Sequence, residues 1–192
     1  MRANPMPVII IQMTTIGKLT TRKLTISGIL IALGLILPFL TGQISGIGNM
    51  LLPMHLPVLL AGFVVGAPLG LLIGFMLPLL RHLLFGMASL YPTAIAMAFE
   101  LASYGFLTGS LYRLLPRKTV FIYLNLILAM VIGRLVWGIV SAVLYAFSGT
   151  TFTWKLFFTA GFINAIPGLI VQIVVIPLIV LALRKANLIE NE

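Results

Sequence analysis

Few side chains in this sequence can do more than pack. Arg81, His82, Glu100, Arg134, Asn164 and Gln172 all fall inside long apolar runs, and His55 opens another. In hydrocarbon an ionisable side chain costs about 2.5–3.5 kcal/mol or more unless it is paired or faces water, so each of these positions marks a ligand site or a structural pair. Two Arg against one Glu leave such a site positive, which favours a small anionic or strongly polar solute over a cation. A carboxylate gripped bidentately by Arg134, with Asn and Gln amides for hydroxyl or amide groups, is the simplest fit. Catalytic chemistry lacks its parts: there is no HExxH, no Asp-rich metal motif, no GxSxG and no paired carboxylates. Zero cysteines exclude thiolate metal sites and a cysteine nucleophile. Without a Walker A loop, powered transport needs the ATPase of a partner.

Each residue also has a structural reading. Arg81 can snorkel to the interface, and His55 and His82 can sit there too. Glu100, the one acid outside the C-terminal tail, can serve to neutralise Arg134 or Arg81. Arg134 is central in its run and too deep to snorkel easily, which favours a place in a cavity. Tyr91, Tyr104 and Trp137 are ordinary membrane aromatics by default, although Trp137 lies one turn from Arg134 and can wall the same cavity. Asn164, Gly168 and Gln172 are spaced by fours and would share a helix face. Asn49 belongs to the loop above them.

The elements that must hold these residues follow from composition. The chain has 192 residues, 61% of them hydrophobic and 8% charged, against about a quarter charged in soluble domains. A span needs about 20 apolar residues, so the length allows at most about seven spans. The reading is an all-α membrane protein with six transmembrane helices, at about 22 to 40, 54 to 65, 68 to 85, 92 to 112, 119 to 147 and 156 to 183. The first is expected to break at Pro38, and the second to be shorter than a full span. Gly66, Ala67 and Pro68 divide the second from the third. Residues 1 to 17 read as a leader, without a signal-peptide cleavage site and with Met13 as an alternative start; 18 to 186 form the membrane domain and 187 to 192 a tail.

Most of the formal charge of +9 is topology signal. Lys18, Arg22 and Lys23, then Arg113, Arg117 and Lys118, then Arg184 and Lys185 form clusters between spans, which places both termini in the cytoplasm. Arg81, His82, Glu100, Arg134, His55, Asn49 and Asn164 then converge on the outer half of the membrane. Glu100, eight residues past Pro92, lies about 12 Å below the outer surface. Gly62, Gly66, Gly70 and Gly74 repeat every fourth residue, and Gly28 with Ala32 makes a small-residue ridge on the first helix. Such ridges serve close packing, inside the bundle or against another subunit.

A basic N-terminus, a small-residue ridge on the first helix, a loop at 41 to 54, a glycine-rich short hairpin and six helices together resemble the substrate-binding S component of energy-coupling factor (ECF) vitamin transporters. The resemblance covers about 18 to 186. GNMLLPMHLPVLLAGF (48–63), PLLRHLLFGM (78–87) and YPTAIAMAFELASYG (91–105) are most similar to the pantothenate-type members. The resemblance implies an S-component bundle in a prokaryotic plasma membrane. It implies a protein that is not itself an enzyme and captures a vitamin from outside under the 41 to 54 loop. Its partners would be a transmembrane coupling (T) protein, docked on Gly28 and Ala32, and two ABC-type ATPases that use the ATP; the chain would hold no cofactor or metal and bind no nucleic acid. Other vitamins or precursors (hydroxymethylpyrimidine, pyridoxine, folate) and a stand-alone ion-coupled carrier using Glu100 remain alternatives.

Overall fold

The computed structural model describes residues 21–42, 48–86, 89–116, 118–149 and 151–189. The 1 to 17 leader, Lys18, Arg117 and residues 43–47 of the expected lid lie outside that set. The described chain is helical, with no strand among the described residues. The helices are α1 (Thr21–Gly42), α2 (His55–Val65), α3 (Ala67–Phe85), α4 (Ile95–Leu114), α5 (Thr119–Phe147), α6 (Trp154–Gly161) and α7 (Ile166–Lys185). Five stretches are long and apolar enough to cross a membrane: α1, α3, Leu90–Leu114, α5 and Trp154–Lys185; α2 is an apolar helix of 11 residues.

Two boundaries differ from the sequence reading. The first helix continues through Pro38 to Gly42. Unwinding there would leave backbone groups without water to bond, so a span absorbs the proline instead. The last helix is broken. Thr153 caps the start of α6 by accepting from the Leu156 amide at 3.2 Å, and a 3-10 turn, Ile163–Ala165, precedes α7. Pro167 then stands in the first turn of α7, where its missing N–H costs nothing. Between α2 and α3 the chain turns at Gly66 with φ 93°, a left-handed conformation that suits glycine.

The glycine series sets how closely the helices approach. A methyl added to Gly70 would lie 2.6 Å from the carbonyl oxygen of Gly105, and one on Gly62 would lie 2.7 Å from the amide of Gly109. Gly74 likewise meets the backbone at Leu101. The α2–α3 hairpin therefore packs backbone to backbone on α4, as small residues permit in lipid. Leu59, Leu77, Leu101, Leu126, Ile176 and Val180 fill the core behind this seam. Outward-facing Leu40, Leu83, Ile139 and Leu178 are exposed, as suits side chains solvated by lipid.

The ridge on α1 is different. Its packing face is Ser27, Leu30, Gly34 and Pro38, whereas Gly28 and Ala32 are exposed and nothing lies within 4 Å of a methyl added to Gly28. Internal packing therefore does not explain this ridge. Gly70→Ala should destabilise the protein by about 1–3 kcal/mol or more, since the obstruction is backbone that cannot rotate away. Gly28→Ala should leave stability unchanged or raise it slightly. Thermal unfolding of the detergent-solubilised variants distinguishes these outcomes.

Candidate functional site

Three helices bring the buried polar residues together. On α4, Glu100 and Tyr104 are four apart and share a face, and the Tyr104 hydroxyl donates to Glu100 Oε1 at 2.9 Å. From α5, Arg134 Nη1 reaches the same oxygen at 2.9 Å. From the start of α2, His55 Nε2 stands 3.6 Å from it, with the His55 ring 5.5 Å from that of Tyr104. All four side chains are buried, Glu100 to 1% exposure and Arg134 to 5%. A buried ion pair of this kind is stable only with good geometry and added hydrogen bonds, and Tyr104 supplies one of them.

Backbone features place these groups. Gly133 clears the space that the Tyr104 ring occupies, since a methyl there would collide with that ring. The turn before α2 includes Leu52 at φ 50°, and its carbonyl accepts from the His55 amide at 3.0 Å. Neither Gly133 nor Leu52 stands out in the sequence; the one signal for Gly133 is its place beside Arg134.

Glu100 uses one nitrogen of the guanidinium. Arg134 Nε and Nη2 are buried without a hydrogen-bond partner among the described residues, as are both His55 ring nitrogens and Gln172 Nε2 on α7. Nε and Nη2 form the edge that grips a carboxylate by two parallel bonds. Unmade bonds of buried donors are costly, so this set of orphaned groups is the most distinctive chemistry in the molecule. Gln172 comes from the segment where Gly168, one turn earlier, packs on the backbone of Met50 and Leu51. The described residues hold no group of three or more His, Asp or Glu able to bind a metal.

Other sequence-selected residues fall elsewhere. Arg81 is buried, with its guanidinium carbon 5.7 Å from the Phe39 ring centroid on α1. His82 is half-buried, and its carbonyl caps the end of α3 at Gly86. Tyr91 is exposed and donates its hydroxyl to the Leu144 carbonyl. Trp137 packs against the rings of Phe152 and Phe157. Asn164 is exposed; the break before α7 interrupts the four-residue spacing that would have aligned it with Gln172. Asn49 lies in the 3-10 turn Gly48–Leu51, and its side chain is outside the described set.

A model of the family described as ECF transporter, substrate-specific component, matches residues 22–180. The chain belongs to that family. No curated protein and no solved structure matches it. An ECF S component is part of a transporter and not an enzyme; it works with T and ATPase components on a small-molecule substrate. The helices long enough to span a bilayer agree with a multi-pass membrane protein.

Removing one member of the central pair should be worse than removing both. Glu100→Ala strands the Arg134 charge and should cost about 3–5 kcal/mol, while Glu100→Leu combined with Arg134→Met should recover most of the loss. Denaturant titration of both variants measures the coupling.

Proposed function

We propose that this S component captures a carboxylate-bearing, water-soluble vitamin, with pantothenate the best fit, at the Arg134 cluster. The observation that carries this reading is the buried, unpartnered Nε and Nη2 edge of Arg134. Glu100 on Nη1 orients the guanidinium and leaves that edge for a second carboxylate. His55, beside the Glu100 carboxylate, adds a group suited to an amide or hydroxyl, and the buried, unpartnered Gln172 amide is assigned to the same solute. Pantothenate combines these groups. Hydroxymethylpyrimidine and pyridoxine have no carboxylate, and folate carries its carboxylates on a far larger body.

Both termini are read as cytoplasmic. Arg22 and Lys23 at the start of α1, Arg113 at the end of α4, and Leu188 after α7 border one recess, so the basic clusters gather at one end of the bundle. The positive-inside rule assigns that end to the cytoplasm. Glu100 lies 13 residues before Arg113, about 20 Å along α4, which puts the polar cluster toward the outer side. ATP would be consumed by the two partner ATPases, and the chain itself would need no cofactor. The exposed ridge of Gly28 and Ala32 would receive the T protein.

Arg134→Lys keeps a charge for Glu100 but loses the fork. It should weaken binding of labelled pantothenate to the purified chain by at least about tenfold; undiminished binding would remove Arg134 from the site. Ala32→Leu should abolish co-purification with the T protein and ATPases while leaving solute binding intact. Uptake into liposomes by the chain alone would overturn the dependence on partners.

A further inference from the structure

At the opposite end of the bundle from the Arg134 cluster, a recess of about 150 Å³ collects cations from separate helices. Arg22 and Lys23 enter from the start of α1, Arg113 from the end of α4, and the chain after α7 returns to close one side with Leu188. Among the described residues, none of those lining the recess is an acid; Glu190 and Glu192 lie outside the described set.

The two arginines are anchored. Arg22 Nη2 donates to the Leu188 carbonyl at 2.8 Å, and the neighbouring Ile189 is buried in the core. A methyl on Gly66 would lie 2.9 Å from Arg113 Nη2, so that guanidinium rests against the backbone where α3 begins. Gly66 is the N-cap of α3 and provides no side-chain cap.

We propose that this recess binds a phosphate group, and that in the membrane the phosphate belongs to the headgroup of an anionic lipid. The volume is below the roughly 300–1,000 Å³ of pockets for drug-sized ligands, which suits a phosphate and not a whole nucleotide. The surroundings favour lipid over a soluble anion. Leu24, next to Lys23, and Leu114, next to Arg113, are both strongly exposed and offer an apolar path for acyl chains leaving the headgroup. Basic pockets between helices at the cytoplasmic interface bind lipid phosphates through the same combination of fixed cations and adjoining hydrocarbon. The inference depends on membrane embedding and is separate from the identity of the vitamin.

Native mass spectrometry of the full chain, titrated with phosphatidylglycerol or with phosphatidylcholine of the same acyl chains, tests it. Phosphatidylglycerol should be retained on the order of tenfold more tightly. Arg22→Gln with Arg113→Gln should erase that preference, and Lys118→Gln, an exposed cation outside the recess, should leave it intact. Equal retention of the two lipids by the unaltered chain would overturn the proposal without any variant having to fold. An undiminished preference in the double variant would overturn the assigned residues. In a parallel thermal-shift series, stabilisation by phosphatidylglycerol that inorganic phosphate does not reproduce supports the lipid assignment; equal stabilisation by phosphate alone would overturn it.

Discussion

The arrangement of this bundle rests on a carboxylate and a guanidinium buried between two helices. Glu100 and Arg134 meet at 2.9 Å with almost no exposure, in a protein whose surface is largely hydrocarbon-facing. Neither charge is tolerable there alone. Together they fix the register of α4 against α5 and hold the guanidinium in one orientation. Because the pair uses Nη1, the fork edge of the same side chain remains unpartnered. The proposed ligand-binding group is thus the remaining face of a residue that also makes a structural ion pair.

The pair depends on how α4 is held. The glycines of the α2–α3 hairpin and of α4 let the backbones touch along most of their length, at Gly62 with Gly109, Gly70 with Gly105 and Gly74 with Leu101. Close packing of this kind is an effective adhesive between helices in lipid, where there is no hydrophobic drive to bring them together. It leaves α4 little freedom to rotate. Glu100 and Tyr104 therefore present one face toward α5, and Gly133 receives the Tyr104 ring beside Arg134. On α1, by contrast, Gly28 and Ala32 face outward, and the proposed function places the T protein there.

Much of this was legible in the sequence because membranes write simple rules. Hydropathy and the basic clusters indicated the long helices, and Gly66 with Pro68 marked the division between α2 and α3. The rarity of charge in apolar runs pointed to Glu100, Arg134 and His55. What the sequence concealed were features that depend on local backbone geometry. Four-residue spacing suggested that Asn164 shares a face with Gln172, but the break at 162 to 165 turns Asn164 outward. Pro38 reads as a helix end, yet α1 passes through it because lipid gives unwound backbone no partner. Depth alone also grouped Arg81 with the site, whereas its guanidinium lies over Phe39 of α1.

The central claim is that the free edge of Arg134 recognises a carboxylate. The most direct test is a competition assay in which labelled pantothenate on the purified chain is displaced by unlabelled pantothenate or by its alcohol analogue, where CH2OH replaces the carboxylate. A site built around that edge should prefer pantothenate by about a hundredfold or more, since the alcohol leaves buried charged donors unpaired. Displacement by the two compounds at equal concentrations would contradict the account.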